Sequence, residues 1–278
     1  MKDFGGTEIG AMARDCLLMR TRLVSRVVTS IYDEALRPFG IVSPQFALLK
    51  HTFSAPLIKI ARARKHLAEL EEEIGVFLST EPARLRRRVV SGTPEPPLQL
   101  RIVLPPEHLG AIIGDIVHNL RAALDLVACD MVRAVEGKDA NVERVYFPFC
   151  QRAEDLEGMI RARQFHRAGD RAVHVLRGLK PYRGGNAALR AVHDLDVQDK
   201  HRSLILAKTA VSGTMVRTLD NHGTPRIAFA GDPPRLSKVA VVFPPGSVLP
   251  GQQIIPTLHQ LVELTLGVIE TFRALAND

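Results

Sequence analysis

Tryptophan is absent from the chain, tyrosine occurs three times, and aromatic residues make up 5% of the 278 positions. A core built from this composition is mostly aliphatic. Cysteine is also scarce: Cys16, Cys129 and Cys150 are odd in number and far apart. They form no CxxC pair and no zinc-ligand spacing, so they read as reduced thiols in a cytoplasmic protein. No window approaches the roughly 18 consecutive apolar residues of a membrane helix. The opening Met1-Lys2-Asp3-Phe4-Gly5-Gly6 lacks the apolar stretch of a secretory signal. No membrane partner and no export are expected. Nucleophile elbow, dinucleotide fingerprint, phosphate-binding P-loop and HExxH zinc motif are all missing, and no cofactor is expected.

What is present is an ordinary globular composition, 46% apolar and 24% charged, with a net charge of +7. Apolar spacing of three and four predicts helices over 8–36, 57–77, 107–136 and 255–276. Ser43-Pro44 starts another short one. Segments 153–164, 167–178 and 186–206 read as further helices, interrupted by Pro181 and Gly184-Gly185. Period-two patterns predict strands at 85–90, 98–104, around Val216, at 227–229 and at 239–243. The fold class is therefore α+β, predominantly helical, with strands in antiparallel hairpins rather than βαβ units. Three stretches are expected: a helical segment 1–49, a junction 50–56, and an α+β domain 57–278.

Charge is unevenly spread. Between Gly158 and Arg190 lie Arg161, Arg163, Arg167, Arg171, Arg177, Lys180, Arg183 and Arg190 against Asp170 alone. Such a stripe suits a phosphate backbone, which makes nucleic acid the expected partner. A solvated helix face in an arginine-rich chain is the plainer reading. A shorter run, Arg84 then Arg86-Arg87-Arg88, follows Glu71-Glu72-Glu73 and reads as the polar edge of a strand.

Two polar motifs stand out. On a helix, His118, Arg121 and Asp125 share one face. The second motif offers His193, Asp194, Asp196, Asp199 and His201. If the two helices pack, His118, Arg121, Asp125, Asp199 and His201 become candidate acid–base residues. His193, Asp196 and His201 become candidate ligands for zinc or manganese. A hydrogen-bonded salt network that fixes helix register is the structural alternative. The Arg-x(4–6)-His spacing of helical ribonucleases occurs at Arg101/His108, Arg161/His166, Arg167/His174 and Arg217/His222. That frequency is close to chance, and the spacing is uninformative.

Residues 16–49 resemble the opening of MarR-family transcriptional regulators. The stretch from Tyr32-Asp33-Glu34-Ala35-Leu36-Arg37-Pro38-Phe39-Gly40 to Ser43-Pro44-Gln45-Phe46-Ala47-Leu48-Leu49 carries the likeness, with Arg22-Leu23-Val24-Ser25-Arg26 before it. The resemblance implies a homodimer through helix 8–36. The helix-turn-helix and wing of that family do not follow Leu49, so its DNA reader is missing. Residues 57–276 resemble a bacterial family of uncharacterised proteins. Its marks here are Ile113-Gly114-Asp115-Ile116-Val117-His118-Asn119-Leu120-Arg121-Ala122-Ala123-Leu124-Asp125 and Leu195-Asp196-Val197-Gln198-Asp199-Lys200-His201-Arg202. Leu126 stands where that family often carries a histidine. These features together point to a non-enzymatic binding or regulatory protein, nucleic-acid-associated. The alternative is a metal-assisted hydrolase or nuclease built on the polar seam.

Overall fold

A computed structural model describes residues 34, 53–87, 98–201, 207–212, 215–219, 225–229 and 238–277. The chain divides into two compact units, Met1–Thr52 and Phe53–Asp278. Of the first unit only Glu34 is described, and it is helical. The 8–36 helix and the MarR-like stretch 16–49 otherwise lie outside the described residues.

The second unit begins earlier than the sequence suggests. Residues 50–56 were expected to be a break, yet helix α1 runs Ser54–Ser79. Phe53 precedes it in the left-handed region, φ 68°, with its ring 2% exposed. Its backbone N–H donates to Asp130 Oδ2 at 3.0 Å. That hydrogen bond, made 77 residues away, closes the start of the unit and could not be read locally. The buried residues of α1 are Pro56, Ile60, Ala63, Leu67, Leu70, Ile74 and Phe77. Their alternating steps of four and three make a narrow seam suited to packing along another long helix.

That helix is α2, His108–Glu136, whose stripe of Leu109, Ile113, Ile116, Val117, Leu120, Leu124, Val127 and Met131 is buried. A hairpin joins the two helices. Strand β1 (Ala83–Arg87) pairs antiparallel with β2 (Leu98–Ile102). A loop then leads through Phe147 and Phe149 to α3 (Leu156–Ala162), α4 (Gly169–Leu179) and α5 (Ala187–His201). Short 3-10 turns at Ala153–Asp155 and Phe165–Ala168 precede α3 and α4.

The turn between α4 and α5 requires glycine. A methyl at Gly185 would stand 2.4 Å from the Lys180 carbonyl oxygen. Gly185 N–H bonds the Tyr182 carbonyl and Asn186 N–H bonds that of Lys180. Asn186 Oδ1 then accepts the Leu189 N–H, capping α5. These amides are occupied by the turn itself.

Strand β3 (Lys208–Ser212) pairs with β6 (Lys238–Val242), and β4 (Met215–Leu219) with β5 (Pro225–Phe229), both antiparallel. Helix α6, Ile254–Asn277, returns to the core, burying Ile254, Leu258, Leu261, Val262, Val268, Ile269 and Phe272. Phe147, Phe165 and Phe272 meet edge-on or tilted with centroids 5.9–6.4 Å apart. The apolar face of α6 thus packs inward. The fold class is α+β and predominantly helical, as the patterning predicts. Among the described residues no helix is long and apolar enough to cross a membrane.

Candidate functional site

Helices α2 and α5 pack together and bring the two polar motifs into contact. Asp196 is 5% exposed. Its Oδ1 lies 3.2 Å from His118 Nδ1 and its Oδ2 accepts from Lys200 Nζ at 2.9 Å. The His118 side chain is 48% exposed, so a buried carboxylate orients a solvent-facing imidazole. Such a pair is the orienting half of an acid–base arrangement.

One turn further along α2, Arg121 faces His193. Arg121 Nε donates to His193 Nδ1 at 3.3 Å, and the guanidinium carbon sits 4.8 Å above the Phe149 ring. His193 stacks on the same ring at 4.8 Å, nearly parallel. Arg121 Nη1 also lies 2.5 Å from Asp125 Oδ1. The geometry makes this a charge contact rather than an aligned hydrogen bond, since Nη1 has no hydrogen-bond partner. Asp125 Oδ1 instead accepts the Phe147 N–H at 2.9 Å. Burial first, then the nearby Arg121 and Arg190 charges, holds the His193 pKa down at about 4. His193 is therefore neutral at pH 7. As it accepts on Nδ1, its proton is on Nε2.

Asp199 completes the seam. Its carboxyl group rests against Gly114 of α2, where a methyl would meet Oδ2 at 2.5 Å. Oδ1 is buried without a hydrogen-bond partner. Burial, then the charges of Asp196 and Asp115, raises its pKa above the usual carboxylate range, against the pull of His118 and Lys200.

The candidates do not all converge. His118, Asp196 and Asp199 face one end of the seam, and Arg121, Asp125 and His193 the other. The side chain of His201 lies outside the described residues. His193 and Asp196, two of the candidate metal ligands, are turned to different partners, Phe149 with Arg121 and His118 with Lys200. Among the described residues no three His, Cys, Asp or Glu side chains group as a metal site.

An open groove of about 570 Å³ adjoins His193, lined by Phe149, Cys150, Met159 and Arg190 among others. Arg190 is 4% exposed, donating to the Cys150 carbonyl at 2.7 Å and to Asp194 Oδ1 at 2.6 Å. Burial raises the Cys150 thiol, so it is a poor nucleophile.

The basic window is largely answered by carboxylates from elsewhere. Arg167 makes a two-pronged ion pair with Glu136 and also bonds the Asn141 carbonyl and Gln164. Arg177 grips Glu157 through Nε and Nη2. Arg190 pairs with Asp194, which Arg183 approaches at 3.7 Å. Arg163 lies over the Tyr146 ring. Arg161, Arg171 and Lys180 are exposed. The window that reads as +7 in sequence is not a continuous unpaired track, because Glu136, Glu157 and Asp194 all lie outside it or at its edge.

Three contributors were not anticipated: Gly114, Phe149 and Asp130. A glycine inside an otherwise apolar helix pattern is a usable signal, since it costs about 1 kcal/mol against alanine and implies close packing. Nothing local marks Phe149 or Asp130. Comparison with known proteins finds no matching family model, no matching curated protein and no matching solved structure.

Proposed function

We propose that this chain is a non-enzymatic binding or regulatory protein associated with nucleic acid. One observation carries the non-enzymatic half. The side chains that chemistry would need are engaged in holding the fold: Asp125 caps the Phe147 amide, Arg121 bridges His193 and Phe149, and Asp196 is shared by His118 and Lys200. Polar groups that bond one another or the backbone in this way set helix register rather than turn over substrate. The net charge of +7 supports a polyanionic partner. The MarR-like opening at 16–49 supports a regulatory role and a homodimer. The test is binding of the full chain to a labelled generic duplex DNA and a single-stranded RNA across a salt series. Binding that weakens steeply with salt supports the reading, and no binding at low salt removes it.

A second reading rests on the His118–Asp196 pair. An exposed imidazole backed by a buried carboxylate, with Asp199 close by and its pKa raised by burial, suits a hydrolase or nuclease using His118 as general base. Hydrolysis of bis(p-nitrophenyl) phosphate with and without added manganese or zinc, abolished by His118→Ala, would establish it. Equal background rates for wild type and variant would remove it.

A further inference from the structure

The strand register of the first hairpin contains an electrostatic conflict. Arg84 of β1 lies directly opposite Arg101 of β2, and Arg86 lies opposite Gln99. Like charges directly across an antiparallel pair destabilise it. Both Arg84 and Arg101 are exposed. Arg84 has Glu81 at 3.1 Å, whereas Arg101 has no carboxylate partner among the described residues. Residues 83–104 contain five arginines and a single acid, Glu95. The ribbon is firmly rooted. Val103 N–H donates to the Pro82 carbonyl at 2.7 Å, and the Thr209 hydroxyl donates to the Val103 carbonyl at 2.7 Å. Beside the root, Ile102, Val103 and Leu104 are 42%, 48% and 66% exposed.

We propose that the β1–β2 ribbon is the element of this chain that contacts duplex DNA, with Arg84 and Arg101 as a cation pair for its phosphates. This deepens the nucleic-acid reading above and rests on it. A cross-strand arginine pair is unfavourable alone and favourable once a polyanion lies over it. Arg167, Arg177 and Arg190 already have carboxylates, so an incoming phosphate must displace them. Arg101 needs no such displacement, and among the described carboxylates Arg84 has only the exposed Glu81 of its own entry turn to give up. A two-stranded antiparallel ribbon has the width that the major groove of B-form DNA admits. The deep, narrow major groove of A-form RNA does not admit it. The exposed Ile102–Leu104 run supplies apolar contact of the kind that meets thymine methyl groups.

The experiment compares the full-length wild type with Arg84→Gln/Arg101→Gln and with Arg161→Gln/Lys180→Gln. The probes are a fluorescent 20-base-pair duplex DNA, the same sequence as duplex RNA, and a single-stranded RNA, all across a salt series. Circular dichroism melts confirm that each variant folds. The hairpin variant is expected to lose tenfold or more in duplex DNA affinity and about 2 units of log–log salt slope. The second variant is expected to retain most of both, and duplex RNA to bind more weakly than DNA. Equal loss in both variants, no loss in the hairpin variant, or a preference for either RNA would overturn the ribbon assignment and leave the broader reading standing. Absence of wild-type binding to every probe at low salt would overturn both.

Discussion

Asp199 lies against the α-carbon of Gly114. A methyl group at that glycine would stand 2.5–2.7 Å from both carboxylate oxygens and Cγ. The contact joins α5 to α2 at the end of the seam where His118 meets Asp196. In an exposed helix, Gly→Ala stabilises by about 1 kcal/mol. Here the sign inverts. Gly114→Ala is expected to destabilise the unit by about 2 kcal/mol through overpacking. Adding Asp199→Ala should recover most of that loss. Urea denaturation of the two single variants and the double variant measures the coupling.

The start of the folded unit gives a second expectation. A chain beginning at Phe53 should keep the melting transition of the Phe53–Asp278 unit. One beginning at Leu57 lacks the buried Phe53 ring, the amide that Asp130 accepts and the first turn of α1. Loss of a buried phenylalanine alone costs about 3–5 kcal/mol. The shorter chain should melt roughly 10 °C lower, as read by differential scanning calorimetry.

His193 sets a pH dependence. The folded protein keeps it neutral down to about pH 4, whereas the unfolded chain protonates at the ordinary value of 6.5. Between those values the unfolded state binds more protons, so stability falls as the pH drops from about 6.5 to about 4. For a part-buried ring screened by solvent the loss is about 2 kcal/mol. Asp199 and Asp130, both raised chiefly by burial, act with the opposite sign. The contribution of His193 is therefore the difference between wild type and His193→Gln in denaturation curves at several pH values. A difference that does not change with pH would refute it.

Arg121 combines three contacts that an ammonium cannot reproduce together: Nε to His193, the planar group over Phe149, and Nη1 beside Asp125. Arg121→Lys keeps the charge yet should cost about 1–2 kcal/mol. Nuclear magnetic resonance shifts should follow at Phe149 and His193. Unchanged stability and shifts would mean that the charge alone matters.

The helices were legible because burial writes its own period. The four-three spacing of Ile60, Ala63, Leu67, Leu70, Ile74 and Phe77 and the stripe of α2 each report a neighbour without naming it. The shared face of His118, Arg121 and Asp125 was legible, whereas its meeting with the second motif was conditional on the two helices packing; α2 and α5 do pack, and Asp196 reaches His118. What stayed hidden depends on pairing across distance. Arg167 finds Glu136 31 residues back, and Arg177 finds Glu157 20 residues back. A window sum counts the cations and misses their partners. Phe53-Ser54-Ala55-Pro56 reads as a break because proline and serine suggest one. Proline is tolerated in a first helical turn, and the Asp130 contact that secures the entry lies in another helix.

Arg167 reaches further than a surface ion pair. It ties the last residue of α2, the Asn141 carbonyl in the following loop and Gln164 ahead of α4 into one knot. The loop pinned there is the one that delivers Phe147 to the aromatic cluster and Phe149 to His193. A guanidinium at the rim thus acts as a remote tensioner for the interior. Arg167→Ala is therefore expected to shift the resonances of Phe149 and His193, although neither touches residue 167.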